Sequence, residues 1–135
     1  MTSEELAPSV VAAIRELEDA FPDSKISWRA DSQGGAFVTI EDVPLNPEIF
    51  VQAGTWVGFR IGFQYPAAEV YPHHVRPDLA RKDGRPISGK GFHPDKTFEG
   101  RASLMLSRVS KRRDAREDTA LTKLRRVLVW LEQRP

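Results

Sequence analysis

The segment from His93 to Ser103 combines residue types and spacings that could do chemistry. It reads His93-Pro94-Asp95, then Gly100 five residues after the aspartate, and then Ser103 three residues after the glycine. An unassisted serine hydroxyl is a poor nucleophile, and its activation requires a base within hydrogen-bond reach. His93 is the candidate base that lies nearest in sequence. Covalent chemistry in this segment would therefore depend on Ser103 and on a base beside it.

The pattern resembles the active-site segment of ubiquitin-conjugating enzymes, in which His-Pro-Asn is followed by glycine and then by the acceptor cysteine at the same spacings. Asp95 stands where the family has asparagine, and Ser103 stands where it has cysteine. A weaker similarity is the stretch from Val70-Tyr71-Pro72 to Pro77, which looks like the Tyr-Pro turn after the family's third strand. The long stretch between Pro77 and His93 suggests a divergent, bacterial branch.

The resemblance implies a carrier of an acyl group. Residue 103 would accept the C-terminus of a ubiquitin-like protein from an activating enzyme and pass it to an amine. The implied partners are the ubiquitin-like protein, the activating enzyme, and a target protein or ligase, without a cofactor. On Ser103 the linkage would be an oxyester, which transfers slowly because a thiolate is both the better nucleophile and the better leaving group. We therefore expect the chain as given to be inactive or trapped as an ester.

The two departures from the family pattern leave alternatives open. The family's asparagine donates a hydrogen bond to the oxyanion, and such donors are worth about 3 kcal/mol in other acyl-transfer enzymes. Ionised Asp95 cannot do this, but it could orient or deprotonate an attacking lysine, or it could cap the turn after Pro94. The whole segment could also be an ordinary proline turn followed by a strand-like run over residues 102–106. In the family the histidine of this motif is mainly structural. Ser103 is either native or the replacement of a natural cysteine, made to trap the conjugate.

Periodicity predicts the elements that must position this segment. Apolar residues at spacings of three and four predict a helix over about residues 3–20. Two β-prone runs, at residues 25–30 and 36–41, predict an antiparallel hairpin. Strict alternation over residues 56–63 predicts a third strand whose apolar face meets a helix.

The rest of the chain completes an α+β fold. Prolines and glycines punctuate residues 65–92 too often for a long helix or a central strand, so we expect a long ordered loop there. A second apolar stripe predicts a C-terminal helix from about Ala115 to Gln133. The sequence thus predicts one domain over residues 1–135, with a helix, an antiparallel meander, a Pro/Gly-rich loop carrying the active-site-like segment, and a helix. This is also the element order of the ubiquitin-conjugating (UBC-like) fold.

Composition excludes several classes of function. The chain has 135 residues, of which 40% are hydrophobic and 29% charged, and its net charge is +1, which suits one globular domain. The absence of cysteine excludes disulfides, thiolate metal sites and a cysteine nucleophile, and it fits a reducing compartment. Without a long apolar stretch or a basic leader, we expect a cytoplasmic protein that does not bind membranes.

Other clusters support simpler interpretations. His73, His74 and His93 do not predict a metal site, because adjacent histidines in an extended chain point in opposite directions and no carboxylate completes a ligand set. A cluster of basic residues between positions 111 and 126 is diluted by three nearby acids, which favours a solvated helix face over an acidic protein partner and predicts no nucleic-acid partner. The tryptophans are expected to fill the core between the helices and the sheet: Trp28, Trp56 and Trp130.

Two functions follow from the sequence. The first is an acyl carrier with Ser103 as acceptor, Asp95 near the attacking amine and His93 shaping the turn, and it predicts an accessible Ser103. The second is a noncatalytic protein-interaction module of the same fold. The second function predicts that residue 103 can be changed without consequence.

Overall fold

The computed structural model describes residues 6–108 and 118–133. The elements, in chain order, are α1 (Pro8–Ala20), β1 (Ile26–Ala30), β2 (Ala36–Pro44), β3 (Gly54–Ile61), β4 (His73–Val75), β5 (Phe92–Phe98), β6 (Arg101–Leu106) and α2 (Ala120–Gln133). Along the described chain, one helix precedes the strands of an antiparallel sheet and one follows them, which confirms the predicted α+β class.

Helix α1 begins later than the sequence pattern predicts. Pro8 occupies the first turn, where its fixed φ suits a helix and its missing N–H costs nothing. The earlier start is wrong because Leu6 forms a β-bridge with Gly34 and Ala7 is extended. The predicted end at Ala20 is confirmed.

Strands β1, β2 and β3 form the predicted antiparallel meander. Residues 31–35 connect the first pair, and β2 and β3 pair along most of their length. The apolar face of β3 is buried at Val57, Phe59 and Ile61. Phe63 was predicted to continue this face, but β3 ends at Ile61 and Phe63 is 53% exposed.

The sheet has six strands in the order β1-β2-β3-β4-β6-β5. Strand β4 interrupts the region predicted to be loop, and its three residues are too few to show a strand period in the sequence. Strands β5 and β6 form a hairpin, of which β6 pairs with both β4 and β5. Ser103 therefore lies on a strand inside the sheet, while β5 is at its edge.

Both helices pack against one face of the sheet. One continuous cluster of buried side chains joins α1, α2 and that face. Its fully buried members on the helices and strands include Val10, Leu17, Val38, Ile40, Phe59, Ile61, Leu106, Leu124 and Leu131. We call the opposite side the outer face of the sheet.

Helix α2 begins with reciprocal hydrogen bonds between two threonines. The Thr122 N–H donates to Thr119 Oγ1 at 3.2 Å, and the Thr119 N–H donates to Thr122 Oγ1 at 2.8 Å. This arrangement satisfies two backbone donors at the helix start, as in a capping box. The predicted start at Ala115 lies outside the described residues, whereas Asp118 and Thr119 are described and are not helical.

Candidate functional site at residue 103

The β5–β6 hairpin positions every residue of the active-site-like segment. Lys96 pairs with Ser103, and just before this pair Pro94 and Asp95 form a bulge in which Asp95 has a φ of 62°. His93 and Asp95 are both exposed on the edge strand. The two predicted partners of Ser103 therefore lie on the surface of β5.

Ser103 itself is buried, with an exposed fraction of 1%. Its side chain projects to the outer face, where Oγ lies 2.8 Å from Nδ1 of His74 and forms a hydrogen bond with it. The expectation of an accessible Ser103 is therefore wrong. The base beside the hydroxyl is His74 on the neighbouring strand β4, whereas the sequence analysis considered only His93.

His74 is able to accept a proton from this hydroxyl. Burial lowers the pKa of His74 below its ordinary value, so the ring is neutral at neutral pH. A neutral imidazole has one acceptor nitrogen, and in the tautomer protonated at Nε2 the Ser103 hydroxyl donates to Nδ1. The neighbouring His73 points to the core on the other side of the sheet, as expected for adjacent residues of a strand.

The ring of Phe98 packs against the His74 ring of this pair. Phe98 is 8% exposed, and its ring centroid lies 5.1 Å from that of His74, 6.4 Å from that of Trp56 and 6.3 Å from that of Phe37. Gly58 makes room for it, since a Cβ at Gly58 would lie 2.4 Å from a carbon of the Phe98 ring. The outer face thus carries a second, smaller apolar cluster.

Ion pairs hold the end of the hairpin against the sheet. We call residues 98–101 the hairpin tip. Arg29 donates to both carboxylate oxygens of Glu99, at 3.1 and 3.0 Å. Arg101 donates to both carboxylate oxygens of Glu41, at 2.8 and 3.2 Å, and its guanidinium lies 4.4 Å from the ring centroid of Trp56. These contacts connect the tip to β1, β2 and β3.

An open groove of about 440 Å³ lies on the outer face, and His74 is part of its lining. Its lining combines two arginines with aromatic and polar side chains: Arg29, Phe37, Arg60, Tyr71, Pro72, His74, Thr97, Phe98 and Glu99. Tyr71 is 44% exposed within it. We call this feature the outer-face groove.

Two further expectations need correction. Trp56 belongs to the outer-face cluster with Phe98, while Trp130 packs in the core on Phe92, with ring centroids 4.8 Å apart. Lys123 is not solvated but buried, and its ammonium contacts the Glu69 carboxylate and the Arg108 carbonyl.

The described residues offer no obvious place for a metal or a membrane span. In residues 6–108 and 118–133, no three histidine, aspartate or glutamate side chains form a group that could hold a metal ion. Neither of the two described helices is long and apolar enough to cross a bilayer.

The sequence contained signals for the residues that were missed. A glycine inside a strand indicates a close approach by another group, and Gly58 interrupts the clearest strand of the chain. Adjacent histidines in a strand place one side chain on each face, so either His73 or His74 had to point away from the core. What the sequence did not indicate is that β4 would lie next to the strand that carries Ser103.

Comparisons with known proteins do not identify a family for this chain. The chain matches no protein family model, no curated protein and no solved structure. The family resemblance therefore depends on the motif around Ser103 and on the order of elements.

Proposed function

We propose that this chain is a noncatalytic protein-interaction domain of the UBC-like type, which binds a ubiquitin-like protein without carrying its C-terminus. The spacing of the motif and the order of helix, meander, hairpin and helix support the resemblance. The observation that carries the proposal is the burial of Ser103, which is 1% exposed.

Acyl transfer to Ser103 needs access that this arrangement does not give. The reacting oxygen and the carbonyl carbon must approach to about 3 Å in a defined orientation. The Phe98 ring covers this side of the sheet, and the hydroxyl is already hydrogen-bonded to His74. His93 and Asp95 are exposed on β5, and neither is the base beside Ser103.

The outer-face groove has the chemistry of a protein-binding surface. Aromatic side chains and arginine are enriched at protein interfaces and among the residues that contribute most to affinity. Tyr71 is exposed in the groove, and the Arg29 guanidinium already holds one carboxylate in a two-point contact with Glu99. A tail that ends in a carboxylate would compete with Glu99 for the Arg29 guanidinium.

The test is a titration of the ¹⁵N-labelled protein with ubiquitin as the probe, followed by amide chemical shifts. We expect shifts grouped around the outer-face groove, and a loss of affinity of about tenfold in Tyr71→Ser because it removes an exposed aromatic anchor. Val129→Ser is the matched control, since Val129 is 51% exposed on α2 outside the groove. Ser103→Ala should bind as tightly as the unchanged chain, and equal loss in the Tyr71 and Val129 variants would contradict the proposal.

A second function, the acyl carrier, is favoured by one observation. His74 Nδ1 lies 2.8 Å from Ser103 Oγ, which is the spacing of a nucleophile and its base. Incubation with ubiquitin, its activating enzyme and ATP separates the two functions. An acyl carrier forms a reductant-sensitive adduct on Ser103→Cys and a hydroxide-sensitive one on serine, whereas the interaction domain forms neither.

A further inference from the structure

We propose that the hairpin tip is a latch over the Ser103 hydroxyl, and that movement of the tip opens this hydroxyl to the outer-face groove, which its base His74 already lines. The inference concerns access to residue 103. It stands whether or not the chain binds a ubiquitin-like protein.

The Phe98 ring belongs to a different element from the two residues of the site. Phe98 lies at the end of β5, whereas His74 is on β4 and Ser103 on β6. The Phe98 ring lies on Gly58, which has no side chain to hold it. It can therefore leave without breaking the hydrogen bond between Ser103 and His74.

The ion pairs that hold the hairpin tip closed are exposed. In the pair between Arg29 and Glu99, the side chains are 57% and 32% exposed, and in the pair between Arg101 and Glu41 they are 47% and 33% exposed. Exposed ion pairs contribute little to stability and are weakened by salt. A competing carboxylate in the groove would act on the same Arg29 guanidinium.

Movement of the hairpin tip leaves the rest of the sheet intact. Among the described residues, strand β5 is at the edge of the sheet and pairs only with β6, and residues 93–97 are all exposed. Strand β6 keeps its pairing with β4, and Leu104 and Leu106 stay in the core. Edge segments with few buried contacts are the parts of a fold that open locally at low cost.

An open latch would present a hydroxyl and a neutral imidazole together to the groove. This is the pair that an acceptor for an acyl group requires. The latch would therefore decide whether residue 103 is available to an electrophile or stays structural.

The absence of cysteine makes the test direct, because Ser103→Cys gives a chain with a single thiol. The rate of its alkylation by iodoacetamide, followed by mass spectrometry, measures access to residue 103. Glu99→Gln removes the charge that pairs with Arg29 and leaves the Phe98 ring in place. It should raise the alkylation rate of Ser103→Cys about two- to fivefold. Added salt should act in the same direction.

Two variants change the cover itself. Phe98→Ala should raise the alkylation rate of Ser103→Cys about tenfold or more, because the covering ring is gone. Gly58→Ala should displace the Phe98 ring, because the new Cβ would lie 2.4 Å from a ring carbon. It should also raise the rate, and it serves if Phe98→Ala does not fold.

Control thiols separate the latch from general unfolding. Ala102 is exposed on the same strand as Ser103. The alkylation rate of Ala102→Cys should therefore be the same with and without the substitutions at Glu99, Phe98 and Gly58. Val75→Cys lies in the core on the adjacent strand and reports opening of the whole sheet. The latch is overturned if Glu99→Gln and Gly58→Ala leave the Ser103→Cys rate unchanged, or if they accelerate Val75→Cys equally.

Discussion

At the scale of single residues, the candidate site depends on Gly58, which carries no side chain and so allows Phe98 to lie on the sheet. Added at this position, a Cβ would lie 2.4 Å from the ring, well inside van der Waals contact. The φ of Gly58 is not in the left-handed region, so alanine is compatible with the backbone there. The glycine is therefore required by the ring above it and not by the strand.

This leads to a prediction for a double-mutant cycle. Gly58→Ala should cost about 1–3 kcal/mol of unfolding free energy, because it overpacks the outer-face cluster. In a Phe98→Ala background the same change should cost close to nothing, since the ring is absent. Urea unfolding of the four proteins gives the coupling energy, which we expect to be about 1–2 kcal/mol. Additive costs would mean that Phe98 does not lie on Gly58.

His73 shows how burial controls the charge of a side chain. Neither of its ring nitrogens has a hydrogen-bond partner among the described residues, and its ring lies 5.1 Å from that of Phe59. Burial lowers the pKa of His73 from 6.5 to about 3, and the positive charge of Lys123 contributes in the same direction. The folded protein therefore holds this imidazole neutral.

The pH dependence of stability follows from that depressed pKa. Between pH 6.5 and about 3 the unfolded chain binds a proton at His73 and the folded chain does not, so stability is complete above pH 6.5 and falls as the pH falls. From pH 7 to pH 5 the loss should be about 2 kcal/mol. His73→Leu should remove this part of the slope and should not destabilise the protein at pH 7, because no hydrogen bond is lost. An unchanged slope in the variant would show that His73 is not buried.

At the residue scale, the sequence singled out the segment from His93 to Ser103, and the structure places this segment in one hairpin. The sequence could not predict that Ser103 would be covered, because the cover comes from Phe98 on the preceding strand and the base from His74, 29 positions earlier.

At the scale of elements, strand β5 is the part that the sequence did not predict. The period-2 pattern of β5 is broken by Pro94 and by the bulge at Asp95, and five consecutive exposed residues give the strand no apolar face. The meander and both helices were predicted because each has a regular apolar stripe. Their boundaries moved where a specific contact intervened, such as the bridge from Leu6 that delays α1.

A buried ion pair connects α2 to the segment before β4. Lys123 and Glu69 are in contact, with side chains 5% and 14% exposed. Removing one partner of such a pair leaves a desolvated charge, so Lys123→Met should cost about 3 kcal/mol. Adding Glu69→Gln should recover a large part of that loss, because the unpaired charge is removed.

Arg125→Met is the matched control for this prediction, since Arg125 is an exposed cation on the same helix. It should change the free energy of unfolding by no more than about 0.5 kcal/mol. If Lys123→Met behaves like Arg125→Met in urea unfolding, no buried ion pair joins α2 to the segment before β4.

At the scale of the whole molecule, the sheet has two covered faces of different character. The helices cover one face, where the large core lies. The hairpin tip covers part of the other face with a small aromatic cluster, and exposed ion pairs hold the tip in place. The α+β class could be predicted from the order of periodic segments. The second cluster could not, because it depends on strand order and not on any local pattern.

The proposed function rests on the closed state of the outer face, and one measurement tests it most directly. The alkylation rate of Ser103→Cys by iodoacetamide is compared with that of Ala102→Cys in the native protein, with both rates measured again in urea. Burial of residue 103 predicts a native rate about a hundredfold lower than that of Ala102→Cys, and similar rates after unfolding. Equal rates in the native protein would mean that residue 103 is open to an incoming tail, and the noncatalytic function would be contradicted.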